Sequence, residues 1–362
     1  MKTVIIVLNL ILLPNLYAQD FQEKKYYFYK PEINYGSEAI FNPFTLVING
    51  SFDIFRNGGH NKDISNMGYF TSGTRHVLRA ITNPIEIIEK FGWKYFLSQE
   101  VFPMSLNADL AQYFPNYASH TIGNGMQYLK MAEWFDFHKV PHPYLFSGIT
   151  TTIYQFINEV IESGGTKSMR VDPIADMLIF NPLGFLLFST DFGKKFFSET
   201  LPLYDWSLQP VYNFQNHFLE NAGQQFVVKY MIPRSKHYSA FFYWGIHGIL
   251  GISYNYKKEH NFSFGIGRVV NKLKERRRND VIFLTPELDG AIGFFYDKNH
   301  SLMTSIILTG PRIYGASMNI YPGYIRIRWF VPGIFISLEE GNKLLFGLTV
   351  TLFPLGIVSG KY

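Results

Sequence analysis

The chain has 362 residues, of which 18% are aromatic, 17% are charged and none is cysteine, and its formal charge is +5. Soluble domains usually carry nearer a quarter charged residues, so the composition suits a protein that shows apolar surface to lipid. The basic residues are scattered rather than striped, which excludes a nucleic-acid partner, and without cysteine neither a disulfide framework nor a thiol-linked lipid is expected.

Lys2, the apolar run Val4 to Leu13, and Tyr17-Ala18-Gln19 give the positive start, short core and small-residue exit of a cleavable secretory signal over residues 1–18. The run of about ten residues is half the length a membrane-spanning helix needs. The alternative is an N-terminal core helix or strand. Residues 19–82 read as an extended or strand-bearing region, in which Phe44 to Phe55 adds a further hairpin.

Between 83 and 200 the apolar period becomes helical. Asn83-Pro84 and Asp172-Pro173 each pair a capping side chain with a first-turn proline. Helices are predicted over Pro84–Glu100, Ser119–Phe137, Tyr144–Ser163 and Pro173–Phe197, the last broken at Asn181-Pro182. On the third helix, Ser147, Thr151, Gln155, Asn158, Glu159 and Glu162 recur at spacings of three and four, so they line one stripe. The rest of that helix is apolar, and an unpaired carboxylate there is costly, so the stripe must meet other polar groups. The candidates are His120, Asn124 and Gln127 on the preceding helix and Asp172 and Asp176 on the following one.

His120, Glu159, Glu162, Asp172 and Asp176 are therefore the candidate catalytic set. The same residues equally suit a hydrogen-bonded network that fixes helix register, a divalent-ion site or an acid/base pair. No Glu-x-x-His pair, Gly-x-Ser-x-Gly elbow, His-Glu-x-x-His or phosphate-binding glycine loop is present, so no cofactor and no metal are assigned.

The stretch from His120 to Phe188 resembles a family of bacterial envelope proteins catalogued as a domain of unknown function. The matching residues are His120, Gly123, Tyr128, Ala132, Asn158-Glu159, Val171-Asp172-Pro173-Ile174-Ala175-Asp176 and Gly184. The resemblance implies a signal-bearing protein with a helical core followed by a β-rich region. It implies that His120, Glu159 and Asp172 or Asp176 act as one unit, and it lends no activity.

Residues 201–223 read as a linker. From 224 to 362 the period is two: Phe226, Val228, Tyr230; Leu250, Ile252, Tyr254, Tyr256; Phe262, Phe264, Ile266; Ile292, Phe294, Tyr296; Tyr314, Ala316, Met318, Ile320; Ile325, Ile327, Trp329; Leu344, Phe346, Leu348, Val350, Leu352. One face is bulky and apolar and the other mostly Gly, Ser, Thr and Asn, which predicts an α+β chain ending in an antiparallel membrane-embedded β-barrel of about 8–12 strands. A soluble sandwich or lipocalin-like barrel is the alternative. Lys272 to Arg278 is read as a solvated loop or as a grip on anionic lipid head groups or lipopolysaccharide phosphates.

Three functions follow. One is an outer-membrane barrel of structural, binding or transport type with a periplasmic or plugging helical domain. The second is an envelope enzyme acting on a lipid-linked substrate through His120 and Glu159. The third is a soluble periplasmic small barrel for an anionic ligand, its interior lined by Lys229, Asn255, Arg326 and Arg328 opposite Glu287 and Asp289. The expected partner is membrane lipid, including lipopolysaccharide or an anionic lipid-linked molecule.

Overall fold

The computed structural model describes residues 26–53, 64, 66–102, 117–165, 169–245, 247–309, 314–339, 341 and 343–360. The expected signal segment lies outside the described residues. The first helices are α1 (Pro43–Phe52), α2 (Met67–Thr82) and α3 (Pro84–Phe91). α1 and α2 replace the extended region and the Phe44 hairpin expected there. Asn42 explains the first: its Oδ1 accepts from the Phe44 and Thr45 amides at 3.0 Å each, with Pro43 at the first helical position. Asn66 caps α2 through the Tyr69 amide at 3.1 Å.

Gly92, at φ +100°, ends α3, and the chain continues as a short helix and a π-helical turn, Phe96–Val101. A second π-helical turn, Tyr117–Gly123, leads into α4 (Asn124–Phe137), and α5 (Pro143–Ser163) runs 21 residues. α2 and α5 touch backbone to backbone, because a Cβ on Gly73 would fall 1.9 Å from the Val160 carbonyl oxygen. Then come β1 (Met169–Arg170), α6 (Asp172–Ala175), a third π-helical turn (Asp176–Phe180), α7 (Asn181–Ser189) and α8 (Asp191–Lys195). Among the described residues no single helix is long and apolar enough to cross a membrane.

The rest is one 14-stranded sheet, antiparallel except where β1 meets β9 and β3 meets β14. Three short strands, β2 (Leu203–Asp205), β3 (Val211–Asn213) and β4 (Phe218–Glu220), lie in the stretch expected to be a linker. β5 (Phe226–Met231), β6 (Tyr238–Trp244), β7 (His247–Lys257), β8 (His260–Arg278), β9 (Val281–Lys298) and β10 (Ser301–Leu308) follow as successive hairpins. β11 (Ala316–Ile320), β12 (Pro332–Glu339), β13 (Lys343–Val350) and β14 (Phe353–Gly360) complete the sheet.

Strand pairing leaves the sheet open, with β2 near one end and β4 at the other. Both ends nevertheless meet one segment. Leu203 to Asp205 pairs with β5, the Trp206 amide donates to Gln225 O at 2.8 Å, and the Gly356 amide of β14 donates to Pro210 O at 2.9 Å. A β-strand contributes regardless of how few apolar positions it shows, which is why residues 201–223 look like a linker in sequence.

Lys272 to Arg278, expected to be a loop, is strand. β8 and β9 form a ribbon that turns at Asn279-Asp280, both at positive φ, as a two-residue hairpin turn requires. Its tip reaches the helices: Met169 and Arg170 pair in parallel with Val281 and Ile282, and Phe91 packs on Phe283 at 5.6 Å. Arg278 donates from Nε to Phe91 O at 3.1 Å and lies over the Tyr95 ring.

The two faces of the sheet differ as the alternation implies. Leu250, Phe264, Ile266 and Phe294 are 64, 49, 62 and 45% exposed, and Ile252, Phe262, Phe346 and Ile357 also face outward. The opposite face buries Ser253, Ser263, Ser305, Ser317, Ser337 and Thr349. That inner side is filled at its centre by Trp206, Phe241, Tyr243 and Phe295, whose ring centroids stand 4.8–6.3 Å apart where they meet. The helices cover the outer side of β5–β6, where Phe226 and Trp244 pack with Met126, Leu129, Phe188 and Phe197. Buried Lys130 on α4 joins Glu38 at 2.9 Å and Asp205 at 3.2 Å, and Glu133 accepts the amides of Tyr27, Phe28 and Tyr29.

Candidate functional site

Each polar side chain predicted on the helices is delivered by a different element. The π-helical turns supply His120 and Asp176 and, from the first of them, Glu100. α5 supplies Glu159 and Glu162, β1 supplies Arg170, and α6 supplies Asp172. A π turn adds a residue to the helical ladder and so rotates the following side chains out of register, a device that recurs at functional sites. α5 faces the cluster with Glu159 because its other flank, Leu145, Ile149 and Ile153, is turned outward.

The structure divides the five predicted residues into two neighbouring groups. In the first, one ligand-type atom each from His120, Glu159 and Asp176 all lie within 4.8 Å of one another, and His120 Nε2 is 3.6 Å from Asp176 Oδ2. Asn181 Oδ1 lies 3.1 Å from His120 Nδ1, and Asn124 Nδ2 lies 3.4 Å from the same Asn181 oxygen. Tyr154 donates its hydroxyl to Asn124 Oδ1 at 2.9 Å. In the second group Arg170, whose side chain is fully buried, bridges Glu162 at 2.9 Å and Asp172.

Sequence reading missed three members. Arg170 and Glu100 are single polar residues in segments without a helical stripe, and Asn181 reads as a helix break before proline. The Asp172 cap is also not observed; its carboxylate binds Arg170 instead.

Five carboxyl groups here face one guanidinium. Burial, then the neighbouring acids, push the carboxyls of Glu100, Glu159 and Asp176 well above the ordinary range. Burial also raises Asp172, against the opposing pull of Arg170, and lowers His120. A carboxyl whose pKa is raised on folding binds its proton more tightly in the native state. Its stabilising contribution is present below the unfolded value, near about 4, and is lost as pH rises towards the folded value. In chelator the melting temperature is therefore expected to fall steadily from about pH 4.5 upward. Glu159→Gln should flatten that slope; an unchanged slope would remove Glu159 from the account.

The predicted interior set does not converge. Lys229 is buried, but its partner is Asp297, with Asn261 donating to the same carboxylate at 2.9 Å. Asn255 is half-buried near the rim, while Glu287 and Asp289 stand on the projecting β8–β9 ribbon, Glu287 pairing with Lys274 at 3.1 Å. Arg326 and Arg328 are exposed between β11 and β12, where Ile325 to Trp329 forms no strand beyond an isolated Ile327–Phe330 bridge. Pro322-Gly323, with Gly323 at φ +127°, turns the chain off the sheet there, and Arg326 donates to Asn34 O at 2.9 Å.

No protein-family model, no curated protein and no solved structure matches this chain.

Proposed function

We propose that the protein is an integral β-protein of a bacterial outer membrane, its sheet curled into a barrel on the segment 203–213, with a helical domain that carries a buried histidine–carboxylate centre. The observation that carries this reading is the outward row Leu250, Ile252, Phe262, Phe264, Ile266, Ile292 and Phe294, exposed on strands whose other side is small and polar or packed. Exposed apolar patches of that extent mark a membrane or partner surface, and the alternation is that of lipid-facing strands. Between β11 and β12, Tyr324, Ile325, Ile327 and Trp329 stand exposed beside Arg326 and Arg328. Rings and cations together fit the level of anionic head groups, whether lipopolysaccharide or another anionic lipid.

The role we assign is binding or catalysis rather than conduction, because Trp206, Tyr243 and Phe295 fill the sheet's interior. A soluble barrel for an anionic ligand is supported less, since Arg326 and Arg328 are exposed on the segment between β11 and β12. The convergence of His120, Glu159 and Asp176 favours the enzymatic form, action on a lipid-linked substrate, and Glu159→Gln with His120→Ala should then abolish activity in folded protein. The test of the placement is fractionation. The protein is expected with outer membranes after high-salt and carbonate washing, with faster gel migration before heating than after. Recovery in the soluble fraction without detergent ends the proposal.

A further inference from the structure

We infer that His120, Glu159 and Asp176 bind a single divalent cation of the first transition row. The inference rests on the helical cluster alone and is independent of the membrane reading.

The cluster brings an imidazole nitrogen and two carboxylates together and leaves one buried carboxylate oxygen unsatisfied. Asn181 Oδ1, 3.1 Å away, takes the hydrogen of His120 Nδ1, so the lone pair of Nε2 faces inward, towards Asp176 Oδ2 at 3.6 Å. Glu159 is 1% exposed, one of its carboxylate oxygens lies in the same space, and its Oε2 has no hydrogen-bond partner. Buried carboxylates and an imidazole lone pair that converge are a costly arrangement, relieved by a cation. Arg170 makes no hydrogen bond to Glu159 Oε2; its Nη2 binds Glu162 and Asp172.

The dimensions fit a metal. Two ligands held about 2.1 Å from one cation lie about 3.4 Å apart in a tetrahedral shell, and the His120–Asp176 separation of 3.6 Å is close to that. The second layer is also in place. A ligating histidine donates its other ring nitrogen to a fixed acceptor, and here Asn181 is held in turn by Asn124, and Asn124 by Tyr154. One imidazole with two carboxylates selects zinc, manganese or ferrous iron over magnesium and calcium, which take oxygen. Three protein ligands leave a coordination position open, and the half-buried His120 marks the side from which solvent reaches it.

The test uses the full-length protein purified without chelator, in detergent or in buffer according to where it is found. About one equivalent of a first-row metal per chain is expected by elemental analysis. After chelation, adding Zn²⁺ or Mn²⁺ should raise the melting temperature, and Mg²⁺ or Ca²⁺ should not. Cobalt added to the chelated wild type should give visible d–d absorption, a readout that needs no variant. Asn181→Ala should weaken the metal about 10- to 100-fold with the fold retained, and Glu159→Gln with Asp176→Asn should eliminate it. Absence of both the cobalt bands and any thermal shift in folded wild type overturns the inference. So does retention of the metal by the double variant, and so does a double variant that is more stable than metal-loaded wild type, since the two acids would then share a proton instead.

Discussion

Replacing Arg170 by Met is expected to destabilise the helical domain by about 3–5 kcal/mol, the usual cost of removing one partner from a buried ion pair. The Arg170 side chain is fully buried and bonds both Glu162 and Asp172. Its loss removes the guanidinium that offsets those carboxylates and Glu100, Glu159 and Asp176 beside them, and their mutual repulsion adds to the desolvation cost. The sign of the pH dependence follows. At acid pH the carboxyls take up protons and the penalty shrinks, so the variant should lie nearest to wild type near pH 5 and furthest from it at pH 8. Arg170→Lys should lose less than Met but not recover wild type, because one ammonium cannot reproduce the planar fork that spans two carboxylates. The check is the urea midpoint of each variant at both pH values. A Met variant within about 1 kcal/mol of wild type at pH 8 would show that the acids are neutralised by something other than Arg170.

The second large effect is in the sheet. Lys229 and Asp297 form an ion pair at 4% and 0% side-chain exposure, with the ammonium 4.9 Å above the Trp206 ring. Lys229→Met or Asp297→Leu alone should each cost about 3–5 kcal/mol, since either leaves a lone charge among Trp206, Phe241 and Phe295. The double variant Lys229→Met/Asp297→Leu should be close to wild type, or more stable by about 1–4 kcal/mol, because both desolvation penalties disappear together. A double-variant loss equal to the sum of the two singles would show that the residues act apart. Asn261 also donates to Asp297, so a residual loss of about 1 kcal/mol in the double variant is assigned to that amide.

Most of the parts of the fold that carry a period were legible from sequence; the exception is Ile325-Ile327-Trp329, which alternates like a strand but lies off the sheet after the turn at Pro322-Gly323. The alternation at Phe262-Phe264-Ile266 and Ile292-Phe294 specified both the strands and the side they turn outward, because a period of two leaves no freedom in face. The stripe on α5 likewise pointed at Glu159 and its partners on neighbouring helices. What escaped detection depends on contacts distant in the chain. Arg170 enters the acid cluster only because β1 pairs with the tip of β9, and no local pattern records that pairing. Asp297 sits one residue before a turn and looks solvated until the sheet curls it inward against Lys229. The Lys272–Arg278 run resembles a loop because Lys272, Lys274, Glu275, Arg276 and Arg277 are all exposed on β8, so charge replaces alternation, while the facing β9 buries Val281, Ile282 and Leu284. α1 was a different kind of miss: Asn42-Pro43 repeats the start signal of Asn83-Pro84, and the aromatic residues after it obscured the same local cue.

The β8–β9 ribbon has a mechanical consequence. Among the described residues the helices are attached to the sheet over the outer side of β5–β6, at the ribbon's tip beside Val281, and where α1 and α5 pack on Leu219, Ala222 and Leu355. A body pinned at one place can swivel, and each further place of attachment removes part of that freedom. The strand that carries Arg170 is therefore splinted to the sheet, so a tilt of the ribbon reaches the acidic centre through the β1–β9 pairing.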